Sequence, residues 1–351
     1  MSRAFQPLRI SAVDRLCEDA VAVSLAVPDD LREQMSFRPG ENLTVRRTVD
    51  GVEHRRSYSI CAPVGGALRI GVRRIPGGVF SAWLVDEAKP GDVVEAQPPG
   101  GRFVADPALG GRHVLVGAGS GITPLLSIAS SLLQQSDAHM TLLYANRRAA
   151  TAMFLEELAD LKNAFPDRFD LVHVLSREPR DVELFSGRLD GPRLEAILRA
   201  LVPWCDVDGY WLCGPVTMVE EHRAVLTGLG VPKERVHTEL FHVDEPPPPV
   251  VHPEAMREGE TCRLSFTLDG RTTAVDSPRS LTVLEAAQET RPDVPFACRG
   301  GVCGTCRARV VDGRVEMRRN YALEDDELAQ GFVLTCQALP VTDALTVDFD
   351  A

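Results

Sequence analysis

Four cysteines in the C-terminal part of the chain have the spacing of a redox centre. Cys298, Cys303 and Cys306 form a C-x4-C-x2-C group, and Cys336 follows after twenty-nine further residues. Four thiolates in this arrangement are typical of a 2Fe–2S cluster, in which they are shared between two irons. A structural zinc site is the alternative, but it usually pairs two C-x2–4-C halves, whereas here a triplet precedes a lone cysteine. The spacing therefore predicts a 2Fe–2S cluster.

Glycines separate these cysteines. A loop that wraps a cluster needs backbone N–H groups pointed at sulfur and positions that tolerate a positive φ, and glycine meets both needs. Gly300, Gly301 and Gly304 occupy the loop. The composition of the loop thus supports the cluster ligands that the cysteine spacing predicts.

Two short motifs in the first hundred residues suit a flavin nucleotide. In R-S-Y-S at residues 56–59, Arg56 can pair with a pyrophosphate, Tyr58 can stack on an isoalloxazine ring, and Ser59 can hydrogen-bond near its N5 atom. In G-G-V-F-S at residues 77–81, two glycines open a helix, which is typical of a phosphate-binding N-terminus. Either motif alone also fits an ordinary edge strand or turn. Their joint occurrence ahead of a nucleotide-type segment favours the flavin site.

A glycine-rich turn, G-A-G-S-G-I-T-P at residues 117–124, follows an apolar strand and precedes an apolar helix. It is not the dinucleotide fingerprint G-x-G-x-x-G, because Ile122 stands where the third glycine belongs. The next strand closes with Y-A-N-R at residues 144–147 and not with an acidic residue. The strand–turn–helix context favours a phosphate-binding role over a simple tight turn.

Two further features suit a pyridine nucleotide meeting a flavin. Cys213-Gly214-Pro215 ends a later strand, and a small thiol followed by Gly-Pro leaves an open surface for a planar nicotinamide. Phe241, near the end of the last strand of this segment, can cover the second face of a flavin. The alternative for both is plain core packing.

The remaining pattern predicts three folded segments that position these motifs. Residues 5–103 form short β-branched strands with Asp50-Gly51 as a hairpin signal, and a closed antiparallel barrel buries such strands without long edges. From residue 111 strands alternate with helices, which is typical of a doubly wound α/β sheet. Four consecutive prolines within residues 243–253 indicate a linker. Two hairpins and one helix beyond it predict a small α+β fold of the β-grasp type. The expected boundaries are 1–107, 108–243, 244–258 and 259–351.

Composition narrows the classes of partner. The chain has 351 residues, 44% of them hydrophobic, and a net charge of −12, which argues against nucleic acid and anionic membranes as partners. No apolar run reaches the ~18 residues of a membrane span, and residues 1–7 show no signal-peptide pattern. Five cysteines outside the cluster are scattered singly, which suits a reducing cytoplasm: Cys17, Cys61, Cys205, Cys213 and Cys262. We expect a cytoplasmic protein.

The motifs, in this order, resemble those of the ferredoxin–NADP reductase-like flavoproteins with a fused C-terminal plant-type ferredoxin domain. The resemblance rests on R-S-Y-S, G-G-V-F-S, G-A-G-S-G-I-T-P, Y-A-N-R, C-G-P, H-T-E-L-F and the four spaced cysteines, and it covers essentially the whole chain. It implies a multidomain oxidoreductase in which electrons pass from a pyridine nucleotide through FAD to the 2Fe–2S cluster.

The resemblance also implies site residues. For FAD they are Arg56, Ser57, Tyr58, Ser59, Gly77, Gly78, Ser81 and Phe241. For the pyridine nucleotide they are Gly119, Gly121, Thr123, Pro124, Asn146, Arg147, Ser176, Arg177, Arg188, Cys213, Gly214 and Pro215. Tyr58, Ser59 and Cys213 are the candidate catalytic residues, and Cys298, Cys303, Cys306 and Cys336 are the cluster ligands.

Coenzyme choice has a physical argument of its own. The strand that ends at Leu175 is followed by Ser176 and Arg177, with Arg188 nearby. A hydroxyl and cations at this place match a 2′-phosphate, whereas an acid selects free ribose hydroxyls. Glu178, directly after Arg177, works against this interpretation. The sequence favours NADPH and leaves NADH possible.

Residues 320–340 and the ending V-D-F-D are similar to the reductase subunits of phenylacetyl-CoA 1,2-epoxidases. That resemblance implies a separate partner, the oxygenase component of a multicomponent di-iron monooxygenase. An NADH-dependent reductase of another aromatic-ring or steroid hydroxylase is one alternative. A flavin and iron–sulfur redox sensor is an alternative of another class.

Overall fold

The computed structural model describes residues 4–49, 51–242 and 261–351. The predicted linker 244–258 and Asp50 of the expected hairpin turn lie outside these residues. The chain forms two compact units, Met1–Phe241 and His242–Ala351. None of the helices in the described ranges combines the length and apolar character that crossing a bilayer requires.

The first unit begins with a curled, six-stranded antiparallel sheet. Its strands are β1 (Gln6–Cys17), β2 (Ala20–Ala26), β3 (Asn42–Val49), β4 (Val52–Ser59), β5 (Leu68–Arg73) and β6 (Val93–Ala96). They lie in the order β4-β3-β6-β1-β2-β5, and a bridge between Ile60 and Ile70 brings the two ends of the sheet together. Closure leaves no long unpaired edge. The predicted antiparallel barrel is confirmed.

A helix packs against the barrel. Helix α1 (Val79–Asp86) follows Gly77 and Gly78, as predicted. Phe80, Trp83 and Leu84 of α1 are buried in the barrel core. This burial fixes the N-terminus of α1 beside the end of β5 and presents the glycine pair at the surface.

The second layer of this unit is a parallel α/β sheet. Its elements are β7 (Arg112–Ala118), α2 (Ile122–Gln135), β8 (His139–Asn146), α3 (Leu155–Ala164), β9 (Phe169–Leu175), α4 (Gly191–Leu201), β10 (Gly209–Pro215), α5 (Val216–Gly228) and β11 (Val236–His242). The strand order is β11-β10-β7-β8-β9. The chain runs from β7 to one side and later returns to the other, so the topological switch lies between β7 and β10. Ligand crevices form at such a switch, beyond the carboxyl ends of the strands. The doubly wound sheet is as predicted.

Polar contacts tie the barrel to α2 and α3. Ser127 of α2 donates to the Ala62 carbonyl at 2.7 Å, and Ser131 accepts from the Val64 N–H at 3.0 Å. Arg69 of β5 pairs with Glu157 of α3 at 3.2 Å. Because residues 62 and 64 directly follow β4, these bonds set the position of the R-S-Y-S motif relative to the nucleotide layer.

The second unit has its own core and its own sheets. Its elements are β12 (Thr261–Leu268), β13 (Arg271–Pro278), α6 (Val283–Gln288), β14 (Arg307–Asp312), β15 (Val315–Met317), α7 (Asp325–Ala329), β16 (Phe332–Leu334), β17 (Ala338–Pro340) and β18 (Ala344–Asp348). The main sheet has the order β13-β12-β18-β14-β16, and β15 pairs with β17. The first and last strands, β12 and β18, are parallel. The small mixed fold is as predicted, except that the five-residue helix α7 joins the expected helix α6.

One glycine is fixed by a close approach of two strands. A Cβ atom on Gly121, in the turn between β7 and α2, would collide with the carbonyl oxygen of Cys213 at the end of β10. The backbones meet here because the crevice between β7 and β10 is narrow. A side chain at this position would therefore push the turn and the end of β10 apart.

We expect Gly121→Ala to lower the free energy of unfolding by about 1–3 kcal/mol, the usual cost of overpacking a closely packed site. Denaturant unfolding followed by circular dichroism measures it. Gly228→Ala is the matched control, because a Cβ atom there meets nothing within 4 Å. Equal stability of the two variants would contradict the close approach.

Candidate functional site

The pyridine-nucleotide motifs meet at the carboxyl edge of the parallel sheet. The turn of Gly119 and Gly121 leads into α2, where Thr123 and Pro124 are buried in the first turn. Gly214, the second-last residue of β10, lies so close to the end of β7 that a Cβ atom on it would be 3.3 Å from the Cβ atom of Ala118. The structure thus brings the glycine-rich turn and C-G-P together across the switch point, with Pro215 as the residue before α5.

Hydrogen bonds fix the glycine-rich turn. Thr123 Oγ1 donates to the Ser120 carbonyl at 3.0 Å, and the Tyr144 hydroxyl donates to the Gly119 carbonyl at 3.0 Å. Tyr144 in turn accepts from the Met153 N–H at 3.1 Å. Burial raises the pKa of Tyr144 to about 12, so this phenol stays protonated. Tyr144 stabilises the turn, a role that the sequence interpretation did not assign to it.

Asn146 has the character of a ligand-binding side chain. It closes β8 and is 8% exposed, and its amide nitrogen and oxygen have no hydrogen-bond partner among the described residues. The nearby Tyr144 hydroxyl donates to the Gly119 carbonyl, although it lies close enough to the Asn146 amide for that amide to lower its pKa. Because buried polar groups are normally paired, an unpaired amide at the carboxyl edge fits a bound nucleotide.

The residues that the sequence predicts to select the coenzyme lie close together at the ends of β8 and β9. The Arg177 N–H donates to the Arg147 carbonyl at 2.8 Å, and the Gly187 N–H donates to the Leu175 carbonyl at 2.8 Å. These bonds bring the segment of Arg188 alongside Ser176 and Arg177. All four predicted residues of this group, Arg147, Ser176, Arg177 and Arg188, are exposed.

Glu178 is directed away from this group. Its carboxylate accepts from the Ala149 N–H at 2.9 Å. Within the part of the chain that the structure describes, Arg177 and Arg188 form no ion pair, so their guanidinium groups remain available to an anion. The acid that complicated the sequence argument is thus occupied by the backbone.

The flavin motif lies at the end of β4, next to α1. The Tyr58 ring meets the Phe80 ring edge-on at 6.0 Å, and its hydroxyl is buried without a partner among the described residues. Ser57 Oγ lies 3.4 Å from Thr44 Oγ1. Arg56 is exposed and donates to the Arg55 carbonyl. An unpaired phenol and an exposed guanidinium on one strand end fit the ring and the pyrophosphate of a flavin nucleotide.

The turn before α1 is built around Ser81. Its hydroxyl accepts from the Ile75 N–H at 3.1 Å and lies 3.4 Å from the Gly78 carbonyl. Gly77 has a φ of +73°, which glycine adopts without strain. Ser81 therefore holds the shape of this turn together with the Gly78 N–H, which donates to the Ile75 carbonyl at 2.9 Å. The phosphate-binding role of the start of α1 stays a prediction.

The barrel and the nucleotide layer share one carboxylate. Ser59 Oγ, at the end of β4, donates to Glu239 Oε2 at 3.0 Å. Cys213 Sγ, on β10, lies 3.9 Å from the same oxygen. Glu239 is half-buried as a residue, but the protein encloses its carboxyl group, and this burial raises its pKa to about 7, against hydrogen bonds that lower it. Burial and the neighbouring carboxylate raise the pKa of Cys213 well above its ordinary value, so its thiol is protonated at neutral pH.

Glu239 is the functional candidate that the sequence interpretation missed. The signal was its position two residues before Phe241, because alternate residues of a strand share a face. Phe241 itself packs against the core cluster that includes Cys213. Both side chains of β11 are therefore directed to the side where the flavin and pyridine-nucleotide motifs meet.

In the second unit the four cluster cysteines form two pairs. The Cys298 thiol interacts directly with that of Cys303, and the Cys306 thiol with that of Cys336. The Cys303 thiol, together with backbone N–H groups, lowers the pKa of Cys298 below its ordinary value. Two pairs of thiols, one pair for each iron, fit the 2Fe–2S centre that the cysteine spacing predicts.

Backbone and amide donors surround these thiols. The Gly300 N–H donates to Cys298 Sγ at 3.3 Å, and Gln337 Nε2 donates to Cys336 Sγ at 3.5 Å. Gln337 also donates to the Arg299 carbonyl at 2.8 Å. Such donors stabilise negative charge on cluster sulfurs. Gln337 was missed by the sequence interpretation, although it directly follows a predicted ligand.

The chain is similar in sequence to known proteins and protein families. Three family descriptions match the chain: an oxidoreductase FAD-binding domain over residues 7–104, an oxidoreductase NAD-binding domain over 115–224, and a 2Fe-2S iron-sulfur cluster binding domain over 266–341. A 1,2-phenylacetyl-CoA epoxidase subunit from Escherichia coli (strain K12) is 38% identical over 352 residues, covering 99% of this chain and 98% of that protein. The ferredoxin reductase component of 3-ketosteroid-9-alpha-monooxygenase from Rhodococcus rhodochrous is 33% identical, covering 97% and 96%.

The solved structure of phthalate dioxygenase reductase matches with a TM-score of 0.63 and 23% identity, covering 99% of this chain and 98% of that chain. At this identity the likeness concerns the fold. Together with the relatives that align along nearly the whole chain, it confirms the resemblance seen in the motifs. The chain belongs to the family of ferredoxin–NADP reductase-like flavoproteins with a fused C-terminal 2Fe–2S domain, and it is an NAD(P)H-dependent oxidoreductase.

Proposed function

We propose that this protein is the reductase component of a phenylacetyl-CoA 1,2-epoxidase, which takes electrons from NADPH and delivers them to a di-iron oxygenase in the cytoplasm. The shared carboxylate of Glu239 carries the electron-transfer part of the proposal. It joins Ser59 of the flavin motif to Cys213 of the pyridine-nucleotide motif within one unit, at 3.0 and 3.9 Å. A donor and an acceptor ring bound by these motifs would meet at this carboxylate.

The residues divide into binding and orienting groups. A flavin accepts a hydride and releases electrons singly, and a 2Fe–2S cluster carries one electron at a time. In the proposal, Arg56 and the turn of Gly77 and Gly78 bind the flavin pyrophosphate, Tyr58 stacks on the ring, and Ser59 orients it. Phe241 covers its second face and excludes water.

The carboxyl edge of the parallel sheet binds the pyridine nucleotide. The turn of Gly119 and Gly121 faces its phosphates, with Thr123 and Pro124 starting the helix behind it. Asn146 pairs its free amide with the nucleotide, and C-G-P at residues 213–215 accepts the nicotinamide. We also propose the functional boundaries 1–107, 108–243, 244–258 and 259–351 for the barrel, the nucleotide layer, the linker and the cluster domain.

The oxygenase partner is proposed from the relatives. The chain is 38% identical to the phenylacetyl-CoA epoxidase protein and 33% identical to a ketosteroid monooxygenase reductase, each along nearly its full length. The higher identity, together with residues 320–340, supports the epoxidase. Service to a steroid hydroxylase is the second candidate, and the observation that favours it is the equally complete alignment with the steroid enzyme's reductase.

The proposed electron path is tested by replacing one predicted ligand of the cluster. With Cys303→Ser we expect anaerobic NADPH to bleach the flavin at the wild-type rate, while the cluster absorbance and electron delivery to the oxygenase are lost, because one iron lacks a thiolate. Stopped-flow spectroscopy and iron analysis of the purified protein measure these effects. Cys262→Ser, a buried cysteine outside the cluster pairs, should keep two irons per chain. No bleaching of the wild-type flavin by NADPH or NADH would overturn the proposed function.

Coenzyme preference is tested at the end of β9. We expect Arg177→Ala combined with Arg188→Ala to raise the KM for NADPH roughly 10- to 100-fold, the usual effect of losing charge-assisted hydrogen bonds to a phosphate. The KM for NADH should stay within about twofold, because NADH has no 2′-phosphate. Steady-state kinetics with an artificial acceptor give both values.

Arg199→Ala is the control, since Arg199 pairs with Glu195 on α4 and is not part of this group. A wild-type protein that prefers NADH, with a double variant that changes neither KM, would exclude NADPH as the physiological donor.

The raised pKa of Glu239 predicts how stability depends on pH. In the folded chain the Glu239 carboxyl group has a pKa of about 7, against 4.5 in the unfolded chain. Folding therefore binds a proton between these values, and stability falls as the pH rises through them. Glu239→Gln has no carboxyl group to bind this proton, so its stability does not fall in this way. Its Tm relative to that of the wild type should therefore increase from pH 5 to pH 8.

Differential scanning fluorimetry of the flavin-free proteins measures the difference. Glu234→Gln, at an exposed glutamate just before β11, should follow the wild type at every pH. A constant offset between Glu239→Gln and wild type would contradict the raised pKa.

A further inference from the structure

Asn42 faces the shared carboxylate from a third strand. In the antiparallel pair of β3 and β4, Asn42 lies directly opposite Ser59. Directly opposed residues of a sheet point to the same face, with Cβ atoms about 4.5–5.5 Å apart. Since Ser59 donates to Glu239, the Asn42 side chain lies on the same face and next to the same carboxylate.

The backbone around Asn42 leaves room for its amide. The Asn42 N–H donates to the Gly100 carbonyl at 2.8 Å, and the Gly100 N–H donates to the Asn42 carbonyl at 3.0 Å. Both backbone groups are therefore satisfied. Gly101 has a φ of +129°, and a Cβ atom on it would stand 2.9 Å from Asn42 Nδ2. The glycine thus keeps open the space that the amide occupies.

Three elements contribute groups to the Glu239 carboxyl group, which is enclosed by protein. Ser59 on β4 donates to it at 3.0 Å, and Cys213 on β10 lies 3.9 Å from the same oxygen. Asn42 on β3 lies directly opposite Ser59, and its side-chain amide lowers the pKa of Glu239. The Ser59 hydroxyl can rotate to other acceptors and the Cys213 thiol is a weak donor. The Asn42 amide has its backbone pinned on both sides. Its amide nitrogen is also confined on one side by Gly101.

We propose that Asn42 is a positioning residue for Glu239, which holds the carboxylate between the flavin and pyridine-nucleotide motifs by donating its side-chain amide. This deepens the proposed function and rests on it. Asn42 does not touch the reacting rings in this role; it acts through Glu239. Because the amide bonds to the charged form of the carboxyl group, Asn42 also adjusts the pH at which Glu239 changes its charge.

The test is the pH profile of flavin reduction in the FAD- and cluster-loaded protein. Single-turnover rates at saturating NADPH are measured in stopped flow from pH 5.5 to 9 for wild type, Asn42→Leu and Asn42→Asp. Loss of a hydrogen bond to a charged group should move the inflection upward by about one pH unit in Asn42→Leu. Asn42→Asp should move it further, because an ionised neighbour disfavours a second negative charge.

Thr48→Ala is the matched control, since Thr48 lies on the same strand but opposite Glu53, and its profile should match wild type. Glu239→Gln should abolish the inflection in every background. Inflections at the wild-type pH in both Asn42 variants would overturn the proposal, as would variants whose single defect is loss of FAD. Failure of wild-type flavin to be reduced at any pH would instead refute the proposed function, so the two failures are distinguishable.

Discussion

One enclosed carboxylate, that of Glu239, joins the barrel of the first unit to its parallel sheet. Glu239 on the edge strand β11 accepts from Ser59 at the end of the barrel strand β4 and stands beside the thiol of Cys213 on β10. A carboxylate removed from water requires hydrogen-bond donors, so this contact links the barrel to the nucleotide layer at the place where their motifs meet. With a pKa of about 7, the same carboxyl group changes its charge near neutral pH.

The geometry around this carboxylate depends on close backbone packing. Gly121 must be a glycine because the end of β10 approaches the turn after β7. Serines 127 and 131 of α2, although inside an apolar helix face, hydrogen-bond to the segment that follows β4. The barrel thereby packs on α2, and the flavin motif and C-G-P both reach the Glu239 carboxylate, through Ser59 and Cys213.

In the second unit, hydrogen bonds to cysteine sulfurs stabilise the predicted cluster site. Its thiols lie in two pairs, and Gly300 and Gln337 direct N–H groups at Cys298 and Cys336. Arg299 adopts a φ of +54° within this loop, a conformation that is unusual for a residue with a side chain. The Arg299 carbonyl accepts from Gln337, and this bond stabilises the strained residue. Loop shape and sulfur hydrogen bonding are therefore set by the same side chain.

The sequence by itself determined the three-part architecture and the order of the cofactor motifs, and it predicts the four cluster ligands. These follow from local signals: cysteine spacing, glycine-rich turns, and strands alternating with helices. It did not single out β1, because the second half of this long strand lacks an alternating buried face and its register shifts between Ile10 and Ala12 and between Arg15 and Cys17. Only the tertiary structure brought Glu239, Asn42 and Tyr144 next to the predicted site residues. Their signals are not local, since Asn42, Ser59, Cys213 and Glu239 lie on four strands that come together through long-range pairing, and burial, which raises the pKa of Glu239, exists only once those strands have packed.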